Sequence, residues 1–198
     1  MPSKTESDEK PSAVKILIAG GFGAGKTTFV GSVSEIEPLR TEELLTAASV
    51  GTDHLEGVEG KSTTTVAMDF GRITIDNALV LYLFGTPGQD RFWFMWEELS
   101  IGALGAVVLA DTRRLADCFP AVDFFESRGI TFVVGVNVFD DAFPYEPDEV
   151  RAALDLKPHV PVVLCDARAP HSATAVLVML IQHLLTLTTA RPSMAGEI

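Results

Sequence analysis

The chain has 198 residues, of which 47% are hydrophobic and 21% are charged, and its formal net charge is −12. This length and composition predict one globular domain with a sizeable core and no second domain. A charge of −12 repels phosphate backbones, so binding to nucleic acid or to an anionic membrane surface is not expected.

The two ends of the chain are polar and differ in composition from the segment between them. We expect flexible tails at residues 1–13 and 191–198, and a single domain at residues 14–190. The start resembles neither a signal peptide nor a myristoylation site, and the end has no prenylation cysteine. The longest apolar stretch, residues 175–187, is too short and interrupted for a membrane span and is predicted to be a core helix. A cytoplasmic protein without an integral membrane segment is therefore expected.

A glycine-rich segment follows the first predicted strand, Val14–Ala19, and precedes a predicted helix at residues 25–34. Its sequence is Gly20-Gly21-Phe22-Gly23-Ala24-Gly25-Lys26-Thr27, which fits the pattern G-x-x-x-x-G-K-[ST]. Glycines let the backbone curl so that N–H groups point inward, and the N-terminus of a helix favours an anion. The sequence therefore predicts a phosphate-binding loop at residues 20–27.

The last residues of this segment have the chemistry that a nucleotide needs. Lys26 is expected to reach the β- and γ-phosphates, and the Thr27 hydroxyl to bind Mg²⁺, with Thr28 also contacting the nucleotide. A glycine-rich turn that binds nothing is the alternative, but such a turn needs neither the lysine nor the hydroxyl.

Residues 35–61 are irregular in composition and are expected to be mobile and functional. Within them, Thr41–Ala48 is compatible with a short helix that begins at a capping threonine. Two strands are predicted next, at Thr65–Ile75 and Leu79–Phe84, and the turn Asp76–Asn77 between them suits an antiparallel hairpin.

Beyond this hairpin the sequence alternates between apolar strands and helices. Apolar, β-branched runs typical of strands buried on both faces occupy residues 106–110, 130–136 and 160–164. Helices are predicted around residues 115–127, 148–154 and 173–188. This alternation predicts an α/β fold with a mostly parallel central sheet and helices on both faces; the hairpin adds one antiparallel strand.

Many ATPases and kinases share such a loop, so the base and the reaction must be inferred from other segments. Ser62-Thr63-Thr64-Thr65-Val66-Ala67-Met68-Asp69-Phe70-Gly71 resembles switch I of the small GTPases. In that family a threonine at this place binds Mg²⁺ through its hydroxyl and the γ-phosphate through its N–H. Thr64 is the first choice, with Thr63 or Thr65 as alternatives; a threonine run in an ordinary exposed strand is the other interpretation.

The segment Leu83-Phe84-Gly85-Thr86-Pro87-Gly88-Gln89-Asp90-Arg91-Phe92 resembles switch II, usually D-x-x-G-Q. The resemblance implies that the Gly88 N–H contacts the γ-phosphate and that Gln89 orients the attacking water. Gly85 replaces the usual aspartate, so outer-shell support for Mg²⁺ is expected to be missing unless Thr86 or a water replaces it. This loss leaves three alternatives open: slow intrinsic hydrolysis, weak Mg²⁺ binding, or nucleotide binding without turnover.

Two later segments resemble the motifs that recognise guanine. Asn137-Val138-Phe139-Asp140 resembles N-K-x-D, in which the aspartate accepts hydrogen bonds from guanine N1–H and the exocyclic amine; an ordinary turn is the alternative. Val138 replaces the lysine that covers the base. Cys165-Asp166-Ala167-Arg168 is in the place of the S-A-K segment, where the Ala167 N–H would meet guanine O6.

All five segments follow the order of the Ras-like small GTPases over residues 14–190, and the chain is identified as a member of that superfamily. The T-P-G-Q form of switch II and the T-T-T-V-A-M-D-F-G strand are most similar to the bacterial conservon-type GTPases, which are related to gliding-motility switch GTPases. The resemblance implies binding of GTP or GDP with Mg²⁺, and slow, activator-dependent GTP hydrolysis with Lys26 and Gln89 as catalytic residues.

The resemblance also implies a roadblock-type regulatory partner, signalling beside a sensor-kinase complex, and recruitment to the membrane by a partner. Two other functions stay open: a docking module that binds nucleotide without useful turnover, and an ATPase or small-molecule kinase.

The remaining unusual residues have structural and functional interpretations. Residues 92–96 (Phe-Trp-Phe-Met-Trp) are too aromatic for an exposed helix, so some are expected in the core and Trp93 or Trp96 in a partner contact. Cys118 and Cys165 are expected to be buried hydrophobes, and the histidines have no metal-binding spacing.

Overall fold

The computed structural model describes residues 11–45, 64–88 and 93–189; the side chains of residues 40–45, 64–67 and 93 are not part of that description. Its strands are β1 (Ser12–Ala19), β2 (Leu39–Leu45), β3 (Thr64–Thr74), β4 (Leu79–Gly85), β5 (Ala103–Ala110), β6 (Phe132–Asn137) and β7 (Val162–Cys165). Its helices are α1 (Lys26–Val33), α2 (Trp93–Ser100), α3 (Phe119–Arg128), α4 (Pro147–Ala153) and α5 (Pro170–Thr189), with a 3₁₀-helix at Thr112–Cys118.

The described strands form one seven-stranded sheet in the order β2-β3-β4-β1-β5-β6-β7. The pairs from β4 through β1, β5 and β6 to β7 are parallel. Strand β3 is antiparallel to both of its neighbours, β2 and β4. The predicted fold class, a mostly parallel sheet with one antiparallel strand, is confirmed.

The core lies on both faces of this sheet because the central strands direct alternate side chains to opposite sides. In β1, Leu17 and Ala19 face a cluster that includes residues of α2, α3 and α4. Ile16 and Ile18 face the other cluster, which includes residues of α1 and α5. Both faces of the central strands are therefore buried under helices.

The helix predicted at Thr41–Ala48 is wrong over its described part. Residues up to Leu45 belong to β2, which pairs with β3 in a register that places Thr41 opposite Met68. The free edge of β3 offers backbone hydrogen bonds that outweigh the local helix propensity of this segment. Residues 46–48 lie outside the described part of the chain.

Two other local predictions can be compared with the structure. The turn at Asp76–Asn77 is confirmed, because Asp76 Oδ1 accepts hydrogen bonds from the N–H groups of Ala78 (2.8 Å) and Leu79 (2.9 Å). Strand β1 begins at Ser12, inside the segment predicted to be a tail.

Helix α5 has 20 residues and, alone among the described helices, is long and apolar enough to cross a membrane by length and composition. One of its faces packs on the sheet through Ala173, Val176, Leu177 and Leu180, all buried. The predicted core helix is therefore present, and the opposite face exposes residues such as Val178 and Leu185.

Trp96 is the aromatic residue that anchors α2 to the core. Its side chain is 4% exposed, and its ring stacks on Phe125 and meets Phe124 edge-on. Its Nε1 donates a hydrogen bond to the Pro87 carbonyl oxygen at 3.1 Å. The prediction of a partner contact is therefore wrong for Trp96, whereas Phe94 on the same helix is 60% exposed.

Replacing Trp96 by alanine should lower the free energy of unfolding by about 3–5 kcal/mol, because it leaves a cavity and removes the bond to Pro87. Urea denaturation followed by circular dichroism measures this change. Phe94→Ala is the control and should change stability by less than about 0.5 kcal/mol. Equal effects of the two substitutions would contradict the packing described for α2.

Candidate functional site

The predicted phosphate-binding loop connects β1 to α1 at the edge of the sheet where the parallel strands end. Gly20 has a φ of 132°, and a Cβ on it would lie 2.3 Å from the Leu109 carbonyl oxygen. Gly25 has a φ of 102°, and a Cβ on it would lie 2.5 Å from Asn137 Nδ2. The loop is therefore curled and pressed against the ends of β5 and β6, and only glycine fits at these two positions.

Lys26, at the start of α1, reaches back along this loop. Its Nζ donates hydrogen bonds to the carbonyl oxygens of Gly20 (2.8 Å) and Gly21 (2.7 Å). Burial lowers its pKa to about 8, although Asp69 raises it in part. Gly88 is close by, since a Cβ on it would lie 2.6 Å from Lys26 Nζ. The structure thus brings two predicted phosphate ligands, Gly88 and Lys26, close together. An anion bound there would stabilise the charged form of the Lys26 ammonium group.

The Thr27 hydroxyl has a carboxylate partner that the sequence analysis missed. Thr27 Oγ1 donates a hydrogen bond of 2.6 Å to Oδ2 of Asp69, which is 8% exposed in β3. Because the hydroxyl proton points to the carboxylate, the oxygen lone pairs stay available to a cation. This donor set fits the oxygen ligands and outer-shell support that Mg²⁺ prefers.

Asp69 also changes the interpretation of Gly85. A Cβ on Gly85 would lie 3.1 Å from Asp69 Cβ and 3.2 Å from its Oδ2, so the carboxylate fills the space beside this glycine. The structure therefore places a carboxylate from β3 beside the Thr27 hydroxyl, where the sequence analysis expected none from β4. The signal for this carboxylate was the one charged residue in the strand sequence T-V-A-M-D-F-G.

Thr86 follows Gly85 and was predicted as a substitute for the missing aspartate. It is 2% exposed, and its Oγ1 has no hydrogen-bond partner among the described residues. A buried hydroxyl without a partner costs free energy unless a water or a ligand completes it. Thr86 is therefore a second candidate for the metal environment.

Asn137, at the end of β6, connects two segments of the site. Its Nδ2 donates to the Ala24 carbonyl oxygen at 3.0 Å, and its Oδ1 accepts from the Ala167 N–H at 3.0 Å. The side chain is 5% exposed. The Ala167 N–H, predicted to meet guanine O6, therefore bonds to Asn137 in this structure, and a base would have to share it.

Asp140 lies at the surface and is paired with Arg168. Both carboxylate oxygens of Asp140 accept hydrogen bonds of 3.1 Å from the guanidinium, which also binds Asp166 at 2.9 and 3.0 Å. Hydrogen bonds from Arg168 lower the pKa values of Asp140 and Asp166. Each of the two acceptor atoms predicted to recognise guanine thus accepts one hydrogen bond from Arg168, and a base would have to share them with the guanidinium or displace it.

Arg113 is a further residue that the sequence did not indicate. Its guanidinium lies 3.7 Å from the ring centroid of Phe139 and donates a 2.7 Å bond to Asp141. The same group forms two bonds to Asp111, which is 3% exposed. Burial opposes ionisation of Asp111, but the bonds from Arg113 outweigh it and lower the Asp111 pKa. Arg113 therefore fixes the segment after β6 to the end of β5.

Some predicted site residues cannot be placed. Gln89 and Thr63 lie outside the described residues, and Thr64 is described only as backbone at the start of β3. Phe22, within the loop, and Thr28, directly after it, are exposed. Cys118 and Cys165 are buried as predicted, and no group of three or more potential metal-binding His, Cys, Asp or Glu residues occurs in the described part of the chain.

Replacing Asn137 by alanine should lower the free energy of unfolding by about 2–5 kcal/mol, because it leaves two buried backbone groups without partners. Thermal and urea denaturation measure the loss. Asn77→Ala, in the exposed turn between β3 and β4, is the matched control and should be close to neutral. A neutral Asn137→Ala would show that the observed hydrogen bonds do not hold these segments together.

Comparison with known proteins supports the nucleotide-binding interpretation of this edge of the sheet. Residues 18–187 match the family described as "Conserved hypothetical ATP binding protein". An uncharacterized protein of Methanocaldococcus jannaschii is 31% identical over 133 residues, which are 66% of this chain and 73% of that protein.

Solved structures of G domains are similar in fold at low sequence identity. The G domain of the FeoB iron transporter of T. maritima has a TM-score of 0.56 at 16% identity, covering 89% of this chain and 99% of that one. The FeoB G domain of Methanococcus jannaschii has a TM-score of 0.59 at 13% identity, covering 88% and 99%. The chain has the fold of a P-loop G domain and belongs to the family of conserved hypothetical ATP binding proteins.

Proposed function

We propose that this protein is a guanine-nucleotide switch that binds GTP or GDP with Mg²⁺ and hydrolyses GTP slowly. The observation that supports it most directly is the hydrogen bond from Thr27 to Asp69 beside the phosphate-binding loop. A glycine-rich turn without a ligand needs neither a buried carboxylate nor a hydroxyl oriented by it. Both are groups that stabilise a Mg²⁺–phosphate complex.

Each residue at the phosphate end has a separate role. The loop N–H groups and Lys26 bind the phosphates, and the lysine stabilises the charge that grows on them during transfer. The Thr27 hydroxyl oxygen binds the cation, and Asp69 accepts the hydrogen bond from that hydroxyl. Thr86 provides a second hydroxyl near the cation. Mg²⁺, when bound, supplies charge neutralisation of the phosphates.

Hydrolysis itself is proposed as in-line attack of water on the γ-phosphorus: a new P–O bond forms to the water oxygen while the bond to the β–γ bridging oxygen breaks, which gives GDP and inorganic phosphate. Gln89 orients this water, Gly88 donates its N–H to the γ-phosphate, and a switch I threonine, first Thr64, contacts the metal. Both switch segments then become ordered only with the triphosphate. An activator that improves the position of Gln89 would account for slow intrinsic turnover.

The choice of guanine is proposed from Asn137 and Asp140. Guanine offers N1–H and an amine to a carboxylate, whereas adenine has no matching pair of donors. The ion pair between Asp140 and Arg168 favours a second candidate, an ATP-binding protein, because a base that makes no bond to Asp140 leaves this ion pair intact. The description of the matching family also names ATP.

The cellular setting follows from the resemblance to conservon-type GTPases and is part of the proposal. We propose a cytoplasmic bacterial signalling protein that binds a roadblock-type regulator beside a sensor-kinase complex, which recruits it to the membrane. A docking module that keeps its nucleotide without turnover is the alternative, and a single-turnover GTP hydrolysis assay with and without the partner separates the two.

Calorimetric titration of nucleotide-stripped protein with GTP, GDP and ATP, with and without Mg²⁺, tests the function. We expect selective binding of GTP and GDP, and loss of binding in Lys26→Ala because the phosphates lose their cation. ATP preference would support the second candidate. Unchanged affinity in Lys26→Ala would overturn the assignment of the loop.

Replacing Asp69 by asparagine should weaken Mg²⁺-dependent GTP binding by about 10- to 100-fold, the usual effect of an outer-shell group on metal affinity. Binding without Mg²⁺ should change little, because the substitution keeps the side-chain shape. Magnesium titrations of the GTP complex provide the measurement, with Asp123→Asn on the exposed side of α3 as control. If both variants retain the wild-type Mg²⁺ dependence, Asp69 does not support the metal.

A further inference from the structure

Arg114 reaches the phosphate-binding loop from the 3₁₀-helix, and none of the roles above includes it. Its Nη2 donates a hydrogen bond of 2.6 Å to the Phe22 carbonyl oxygen. A Cβ on Gly23, the next residue of the loop, would lie 3.1 Å from the same nitrogen. The guanidinium therefore packs directly against the peptide between these two residues.

The backbone places this side chain at the loop. Arg114 has φ −145° and ψ 53°, which interrupts the helical geometry of residues 112–118. Carboxylate oxygens of Asp111 and Asp117 lie 3.7 and 3.8 Å from the guanidinium nitrogens and restrict the orientation of the side chain. Because the side chain is 49% exposed, these ion pairs are partly solvated, and the bond to the loop is the most direct contact.

The geometry of a peptide then determines what this contact does. In a planar trans peptide the carbonyl oxygen and the N–H point in opposite directions. Holding the Phe22 oxygen toward the 3₁₀-helix turns the Gly23 N–H away from that helix. We propose that Arg114 is a positioning residue that fixes this peptide so that the Gly23 N–H faces the bound phosphates; this inference rests on the proposed nucleotide binding.

The rest of the loop supports this assignment. The carbonyl oxygens of Gly20, Gly21 and Phe22 all accept hydrogen bonds from cations, the first two from Lys26 and the third from Arg114. When Lys26 binds phosphate instead of the loop carbonyl oxygens, the hydrogen bond from Arg114 to the Phe22 oxygen still holds the loop. A charged donor also polarises the peptide, which makes the N–H a stronger donor to an anion.

The test compares Arg114→Ala and Arg114→Lys with Arg128→Ala, which removes an arginine of similar exposure at the C-terminal end of α3. Calorimetry with GDP and a non-hydrolysable GTP analogue, both with Mg²⁺, should show that Arg114→Ala binds each nucleotide at least about tenfold more weakly than the wild type. Arg114→Lys should recover part of this loss, and Arg128→Ala should match the wild type.

Amide spectra of protein labelled with ¹⁵N-glycine provide a second readout that a purely structural role would not change. In Arg114→Ala the Gly23 amide should lose its nucleotide-induced shift, while the Gly102 and Gly129 amides stay as in the wild type. Wild-type affinity and spectra in Arg114→Ala would overturn this inference alone. Altered spectra at all three glycines would indicate general unfolding and overturn it as well. If the wild type binds neither GDP nor the analogue, the proposed function itself is wrong.

Discussion

The close packing of the phosphate-binding loop against neighbouring strand ends is the constraint on which the site depends. Residues 20–25 make few regular backbone bonds, so side chains from other segments must satisfy their carbonyl groups. Lys26, Arg114 and Asn137 do so from three different elements. This is possible because parallel strands end at one edge of a sheet, which gathers the segments that follow β1, β5 and β6.

The two ends of the site differ in how their charges are compensated. At the phosphate end, burial lowers the pKa of Lys26 to about 8, so its charged form gains stability when an anion arrives. At the base end, Arg168 already compensates Asp140 and Asp166. A bound phosphate would therefore add a partner for the Lys26 ammonium group, whereas a base that contacts Asp140 would have to share it with Arg168 or displace the guanidinium.

The parts of this site that the sequence could predict are those with a local cause. Runs such as Leu79–Phe84 are apolar because a strand buries them, and the phosphate-binding loop needs glycines wherever its backbone is curled. Strand β2 could not be predicted, because its helix-compatible residues become extended only by pairing with β3. The contacts of Arg114 and Asp69 could not be predicted, since their partners, Phe22 and Thr27, are distant in the chain; the charge of Asp69 within an apolar strand was the one local signal.

Asp69 and Gly85 show how a departure from a motif is to be judged. Outer-shell support for a metal requires a carboxylate at a certain place in space, and the strand that supplies it is irrelevant to the chemistry. Because β3 and β4 are neighbours, Asp69 reaches the place that a side chain on residue 85 would occupy, and the glycine is what leaves room for it. The absence of an aspartate from D-x-x-G thus implies a loss of function only if no neighbouring strand restores the contact with Thr27.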